Sequence, residues 1–128
     1  MLIVDDDDVL RRALVRCFSS SEVEVVDFSD GRRALDDIAA NRPHLVVCDL
    51  RLPGADGLSV LTWLRRHSPL TPFILITAYS SPQVAHRAVQ AGAAAVFEKP
   101  FDLARLKSCC EHWLRPRTAT ADSGSAQE

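Results

Sequence analysis

Short apolar runs and amphipathic helical patterns alternate five times along this chain of 128 residues, and this alternation limits the possible folds more than any other feature. The apolar runs have the length of strands, and the stretches between them repeat apolar residues every three or four positions, as helices do. Strands that alternate with helices indicate a parallel sheet with helices on both faces. The sequence therefore predicts an α/β fold.

The predicted elements follow one another closely along the chain. The predicted strands are residues 1–4, 23–28, 45–49, 73–77 and 94–98, and the predicted helices are residues 9–18, 32–40, 57–67, 82–91 and 103–114. Asp7 or Asp8 is expected to cap the first helix, and Asp56 the third. The inner face of the last helix is expected to contain Leu103, Leu106, Cys110 and Trp113.

The composition changes after residue 114, where the chain has no further large apolar residue. Such a segment cannot bury enough apolar surface to order itself. We therefore expect one domain over residues 1–114, and a disordered tail or linker over residues 115–128.

Charge and composition exclude several classes of partner. A net charge of −2 and scattered arginine pairs give no basic patch for nucleic acid. No apolar run reaches the roughly 18 residues of a membrane span, and the N-terminus does not resemble a secretory signal. The four cysteines, Cys17, Cys48, Cys109 and Cys110, form no CxxC pair and are expected to be small buried residues. We expect a cytoplasmic protein that binds neither nucleic acid nor membrane directly.

Polar residues stand at the ends of four predicted strands. Asp5 and Asp6 follow the first strand, Asp49 ends the third, Thr77 ends the fourth, and Lys99 follows the fifth. In a doubly wound sheet these strand ends can converge on one crevice. Carboxylates in close contact repel unless a cation joins them, and oxygen ligands suit magnesium better than zinc. The pattern predicts a magnesium-dependent phosphoryl-transfer site with one carboxylate as the nucleophile.

Four motifs around these residues resemble the receiver domain of two-component response regulators, over roughly residues 1–114. They are LIVDD at Asp5 and Asp6, CDLRLPGADG at Asp49, LITA at Thr77, and EKPF at Lys99. Each motif is weak alone, but their order and spacing together are specific. The resemblance implies a flavodoxin-like (βα)5 sheet with strand order 2-1-3-4-5.

The resemblance also implies a role for each residue of the site. Asp49 would accept a phosphoryl group from a sensor histidine kinase or a phosphotransfer protein, while Thr77 and Lys99 would bind the phosphoryl oxygens. The expected ligands of Mg²⁺ or Mn²⁺ are Asp5, Asp6, Asp49 and the backbone carbonyl of Arg51. Arg51 and Tyr79 would flank the phosphate, and the peptide bond before Pro100 would be cis.

The resemblance further implies two partner surfaces. Residues on the first helix, with Arg11, Arg12 and Val15 as candidates, would select the kinase. The fourth helix, fifth strand and fifth helix would contact an output domain or a downstream protein, and a homodimer through this surface is possible.

One position departs from the family pattern. Receivers usually have Tyr or Phe three residues before the lysine, and here that residue is Val96, with Phe97 next to it. Because side chains alternate along a strand, Phe97 is expected on the opposite face. Either the switch lacks an aromatic ring or the register of this strand is shifted.

Two other functions are compatible with the sequence. The first is a receiver-like interaction module that phosphate does not switch, and Val96 is the only hint of it. The second is a haloacid-dehalogenase-type phosphatase, since Asp5-x-Asp7-x-Val9 resembles the nucleophile motif of that family. The phosphatase reading lacks an acidic pair after Lys99 and leaves CDLRLPGADG unexplained. We therefore favour a signalling domain over an enzyme.

Overall fold

Five strands and five helices alternate in the computed structural model, which describes residues 1–78 and 81–115. The strands are β1 (Leu2–Val4), β2 (Val26–Phe28), β3 (Val46–Asp49), β4 (Phe73–Thr77) and β5 (Ala95–Glu98). The helices are α1 (Asp8–Phe18), α2 (Gly31–Asn41), α3 (Gly57–His67), α4 (Pro82–Gln90) and α5 (Leu103–Leu114). Tyr79 and residues 116–128, the larger part of the predicted tail, lie outside the described residues.

All strand pairs of the sheet are parallel, and the strand order is β2-β1-β3-β4-β5. This is the predicted flavodoxin-like topology. The central strands β3 and β4 are buried along their whole length, as their continuous apolar runs indicate. Parallel strands place their carboxyl ends at one edge of the sheet, and the polar strand-end residues therefore lie at the same edge.

Helices cover both faces of the sheet and form two apolar clusters. On one face, α2, α3 and α4 pack on a cluster that includes Val4, Cys48 and Leu75. On the other face, α1 and α5 pack on a cluster that includes Ile3, Val47 and Ile76. Neighbouring residues of each strand thus alternate between the clusters.

This alternation extends to β5 and decides between the two readings of Val96. Val96 packs against the first cluster and is paired with Leu75, whereas Phe97 packs against the second cluster. Phe97 therefore does not take the place of Val96, and position 96 has no aromatic ring.

Each of the five described helices begins with a capping side chain that accepts a hydrogen bond from a backbone N–H of the first turn. These residues are Asp7, Asp30, Asp56, Ser81 and Asp102. The caps satisfy N–H groups that have no partner inside the helix. The predicted caps Asp7 and Asp56 are confirmed.

The predicted second strand was too long. Residues 23–28 were expected, but only Val26–Phe28 pair, because β1 offers only three partners, Leu2 to Val4.

The expectation that Leu103 faces the core is wrong, since its side chain is 43% exposed. Leu103 lies in the first turn of α5, as Val9, 81% exposed, lies in the first turn of α1. Both first turns stand at the edge where the strands have ended. The helical repeat continues there without strand residues for these side chains to pack on.

All four cysteines are free; Cys48 and Cys110 are buried, and Cys17 and Cys109 are half-buried. Over residues 1–78 and 81–115, no helix is long and apolar enough to cross a membrane.

Candidate functional site

Three acidic side chains converge at the carboxyl edge of the sheet. Asp5 follows β1, Asp49 is the last residue of β3, and both are buried, whereas Asp6 is exposed. One carboxylate oxygen from each residue lies within 4.8 Å of those of the other two. The structure thus brings together three of the residues that were predicted from separate parts of the chain.

Lys99 joins the two buried carboxylates. Its Nζ lies 2.8 Å from Oδ2 of Asp5 and 3.1 Å from Oδ2 of Asp49. Burial lowers the pKa of Lys99, but its contacts with Asp5 and Asp49 outweigh this effect and raise the pKa overall. The ammonium group is therefore charged at neutral pH.

Asp5 lies in an environment that opposes its charge. Burial is the largest cause of its raised pKa, and the nearby charge of Asp49 raises it further. Hydrogen bonding from Lys99 and from the backbone N–H of Asp7, 2.9 Å from Oδ1, lowers the pKa only in part. A second cation at this place would favour the ionised carboxylate.

Asp49 has one oxygen that the described residues leave without a hydrogen-bond donor. Oδ2 accepts a hydrogen bond from Lys99, whereas Oδ1 is buried and has no partner there. A buried acceptor without a donor is unfavourable. Together with the oxygen-only cluster, this orphaned oxygen fits a hard divalent cation such as Mg²⁺ or Mn²⁺, with Asp5, Asp6 and Asp49 as candidate ligands.

The backbone around Asp49 is tightly packed against the start of α3. The N–H of Gly57 donates to the carbonyl of Leu50 at 2.7 Å. A Cβ atom at position 57 would lie 2.4 Å from the carbonyl oxygen of Asp49. Only glycine allows this approach without a shift of the backbone. Arg51 lies in the same loop with an exposed side chain, and the role of its carbonyl stays a prediction.

Thr77 and Lys99 are connected through the backbone. Thr77 is the buried last residue of β4, and its carbonyl accepts a hydrogen bond from the backbone N–H of Lys99 at 2.8 Å. The peptide bond between Lys99 and Pro100 is cis, as predicted. The hydroxyl-bearing and lysine-bearing strand ends thus lie side by side.

Arg11 makes contacts that the sequence did not predict. It was expected on a surface that selects the kinase, but its side chain is only 13% exposed. Nη1 lies 2.8 Å from the backbone carbonyl oxygen of Asp5 and 2.7 Å from Oδ1 of Asp8, and Nε lies 2.8 Å from Oδ2 of Asp27. The only signal in the sequence is an arginine shortly after an acidic run, which many surface helices share.

Comparison with known proteins covers nearly the whole described domain. The family model described as the response regulator receiver domain matches residues 1–111. The chain is 41% identical to the regulatory protein AtoC of Escherichia coli (strain K12) over 115 residues, which are 90% of this chain and 25% of AtoC. It is 33% identical to the DNA-binding transcriptional regulator NtrC of Klebsiella pneumoniae over 131 residues, 97% of this chain and 28% of NtrC. The chain thus spans about a quarter of the length of these relatives.

Solved structures give the same family. The receiver domain of NtrX from Brucella abortus aligns with a TM-score of 0.79 and 31% identity, over 88% of this chain and 96% of that chain. A response regulator from Burkholderia pseudomallei, solved with a phosphorylated aspartic acid, a calcium ion and citrate, aligns with a TM-score of 0.76 and 26% identity, over 84% of this chain and 63% of that chain. With the family match, the fold and the acidic cluster taken together, this chain belongs to the response regulator receiver domains, which are signalling modules of two-component systems.

Proposed function

We propose that this domain accepts a phosphoryl group on Asp49 from a histidine kinase or a phosphotransfer protein. The observation that carries the proposal is the state of the Asp49 side chain, which is buried, paired with Lys99 through one oxygen, and without a donor on the other. A carboxylate with one oxygen available, beside a fixed cation and two further carboxylates, is equipped to act as a nucleophile toward phosphorus. The Burkholderia pseudomallei relative with a phosphorylated aspartic acid supports the same reading.

In the proposed reaction, an oxygen of Asp49 forms a bond to phosphorus while the bond between phosphorus and the histidine nitrogen of the kinase breaks. The products are an aspartyl phosphate and a free histidine side chain. Lys99 would neutralise phosphoryl oxygens, since Asp5 and the Thr77 carbonyl hold it beside Asp49. Thr77 would bind a phosphoryl oxygen through its hydroxyl.

The acidic cluster would hold Mg²⁺ or Mn²⁺, with Asp5, Asp6, Asp49 and the backbone carbonyl of Arg51 as the ligands. The bound cation would neutralise charge on the transferring phosphoryl group. The chemistry of the donor set supports this assignment, because the candidate ligands are all oxygens and Oδ1 of Asp49 is buried without a hydrogen-bond donor.

Phosphorylation would act on an output domain or a downstream protein through α4, β5 and α5, a surface through which a homodimer is also possible. Curated relatives such as NtrC are DNA-binding regulators about four times as long as the matched region. This supports a role as the input domain of a longer regulator, in which another domain would bind nucleic acid.

The phosphoryl-transfer proposal can be tested with acetyl phosphate and Mg²⁺, on a gel that separates the phosphorylated form. We expect the wild-type domain and the control Asp36→Asn, an exposed acidic residue of α2, to become phosphorylated. Asp49→Asn should abolish the product. Continued phosphorylation of Asp49→Asn, with its loss in Asp5→Asn, would instead support the haloacid-dehalogenase-type phosphatase.

A second candidate is a receiver-like module that phosphate does not switch, and the absence of a ring at Val96 favours it. Titration with beryllofluoride and Mg²⁺, followed by amide chemical shifts, separates the two candidates. Shifts that reach α4, β5 and α5 support a switching receiver, whereas shifts confined to the carboxyl edge of the sheet support the unswitched module.

A further inference from the structure

We infer that Arg11 is a positioning residue of the metal site, which fixes the backbone of the acidic loop, residues 5–8, so that Asp5 and Asp6 are held ready for a cation. The inference rests on the proposed function, because it takes the acidic cluster to be the Mg²⁺ site. Arg11 touches neither the carboxylate of Asp49 nor that of Asp6 among the contacts that the structure gives it. Arg11 would therefore affect Mg²⁺ binding through the backbone of the acidic loop.

The guanidinium group is anchored to the sheet. Nε donates to Oδ2 of Asp27 at 2.8 Å, and Asp27 lies in β2, where it is paired with Ile3 of β1. Burial lowers the pKa of Arg11, but the hydrogen bonds and charges of Asp8 and Asp27 outweigh it and raise the pKa. The side chain is therefore a fixed, charged bridge between α1 and the sheet.

From this anchor, Arg11 reaches the acidic loop. Nη1 donates to the backbone carbonyl of Asp5 at 2.8 Å, which fixes the peptide group before Asp6. The backbone N–H of Asp7 donates to Oδ1 of Asp5 at 2.9 Å, which fixes the peptide group after Asp6. The exposed Asp6 is thus held between two oriented peptide groups, although its own side chain lies at the surface.

This arrangement opposes the mutual repulsion of the acidic side chains. Four consecutive aspartates repel one another, and α1 begins within the run. Arg11 offsets the repulsion through its pair with Asp8 at 2.7 Å and holds the loop closed before any cation arrives. Outer contacts that orient metal ligands change metal affinity, because the ligands need less ordering on binding.

The positive charge of Arg11 has the opposite effect on a cation, since it repels Mg²⁺ across the short distance to the cluster. A role through charge alone therefore predicts tighter Mg²⁺ binding when Arg11 is neutralised. A positioning role predicts weaker binding. The two effects differ in sign, and the affinity of variants distinguishes them.

The test measures Mg²⁺ binding by calorimetry in wild type, Arg11→Met, Arg11→Lys and the control Arg16→Met, which changes an exposed arginine of the same helix. We expect the dissociation constant to rise about tenfold in Arg11→Met. Arg11→Lys keeps the charge but loses the planar fork that spans two acceptors, and it should also bind more weakly. Arg16→Met should match wild type.

A second readout uses the metal-free protein. The amide of Asp7 should exchange its hydrogen faster in both Arg11 variants than in Arg16→Met, and thermal unfolding verifies that each variant is folded. Unchanged or tighter Mg²⁺ binding in folded Arg11→Met and Arg11→Lys overturns the inference. If Arg11→Met does not fold, the Mg²⁺ affinity of Arg11→Lys alone tests the inference. Absence of Mg²⁺ binding by wild type would instead overturn the proposed function, and the inference with it.

Discussion

Strands β3 and β5 both end at the site, but they are buried to different extents. β3 lies at the centre of the sheet between β1 and β4, and every residue from Val46 to Asp49 is buried. β5 is an edge strand of the sheet, as β2 is at the other side, and its residues are half-buried or exposed. The proposed phosphoacceptor thus ends a fully buried strand, whereas Lys99 follows a strand that is partly exposed. Under the proposed function, the phosphoacceptor and the partner surface would thus lie on strands that differ in burial.

The largest expected effect comes from Lys99, which connects the two strands. Lys99→Met should lower the free energy of unfolding of the metal-free domain by roughly 3 kcal/mol, because it leaves two buried carboxylates without their cation. Chemical denaturation measures this loss. Saturating Mg²⁺ should recover a large part of it, since the ion would replace the missing charge.

Lys107→Met is the matched control for that experiment, because Lys107 is an exposed residue of α5. Its effect should stay within about 0.5 kcal/mol. Equal effects of the two lysine substitutions would contradict the assigned role of Lys99.

A matched pair of valines tests the difference in burial directly. Val47→Ala in β3 should lower the free energy of unfolding by about 2 kcal/mol, because it removes two fully buried methyl groups and leaves a cavity. Val96→Ala in β5 should cost less than about 1 kcal/mol, because Val96 is only half-buried. Urea denaturation of both variants measures the two losses of unfolding free energy. Similar losses would contradict the difference in burial between β3 and β5.

The buried carboxyl group of Asp5 should make the stability of the domain vary with pH. Its pKa is raised above the usual value near 3.8, so its ionisation is less favourable in the folded than in the unfolded domain. This contribution makes the metal-free domain less stable as pH rises from about 4 through the raised pKa. The raised pKa of Lys99 keeps its favourable contribution constant at neutral pH, and that contribution is lost only as pH rises past its usual value near 10.5.

Denaturation of wild type and Asp5→Asn at a series of pH values measures this effect. The difference in unfolding free energy between them should shift in favour of Asp5→Asn as pH rises through the acidic range. With the exposed control Asp36→Asn, the difference from wild type should change less. A constant difference for Asp5→Asn would contradict the raised pKa.

A last and smaller effect concerns Val96→Tyr in β5, whose cost in unfolding free energy should be about 1 kcal/mol, the low end for an added ring at a half-buried position. Val96 packs on the α2–α3–α4 side of the sheet, where an added ring would lie between β5 and α4. We expect beryllofluoride and Mg²⁺ to shift the amides of α4 more in Val96→Tyr than in wild type. Identical shifts in both proteins would show that a ring at this position does not affect the coupling.

The sequence predicted the fold and the strand-end residues, because both follow from local patterns. The bounds of α3, β4 and α5 match, and Asp5, Asp6, Asp49 and Lys99 meet at one edge, since parallel strands bring their ends together. The sequence did not predict what depends on contacts between distant segments. The exposure of Leu103 depends on where the sheet ends below α5.

Arg11 is the clearest example of a contact that a local pattern does not contain. Its partners are a backbone carbonyl, which the sequence does not mark, and Asp27, which is 16 residues away on β2. The separation of Arg11 and Asp27 along the chain follows no helical or strand repeat, because the loop that joins α1 to β2 sets it. Only the packed structure brings them together.

The close approach at Gly57 has a consequence for how this chain can vary over evolution. A side chain at position 57 would have to enter the space of the Asp49 carbonyl oxygen, 2.4 Å from the first added carbon. Replacement of this glycine, even by alanine, would move the main chain of Asp49, the proposed phosphoacceptor, while leaving every charged group of the site unchanged. In a library of single substitutions selected for signalling, Gly57 should therefore tolerate substitution as poorly as Asp49, although glycine has no side chain that could take part in the site.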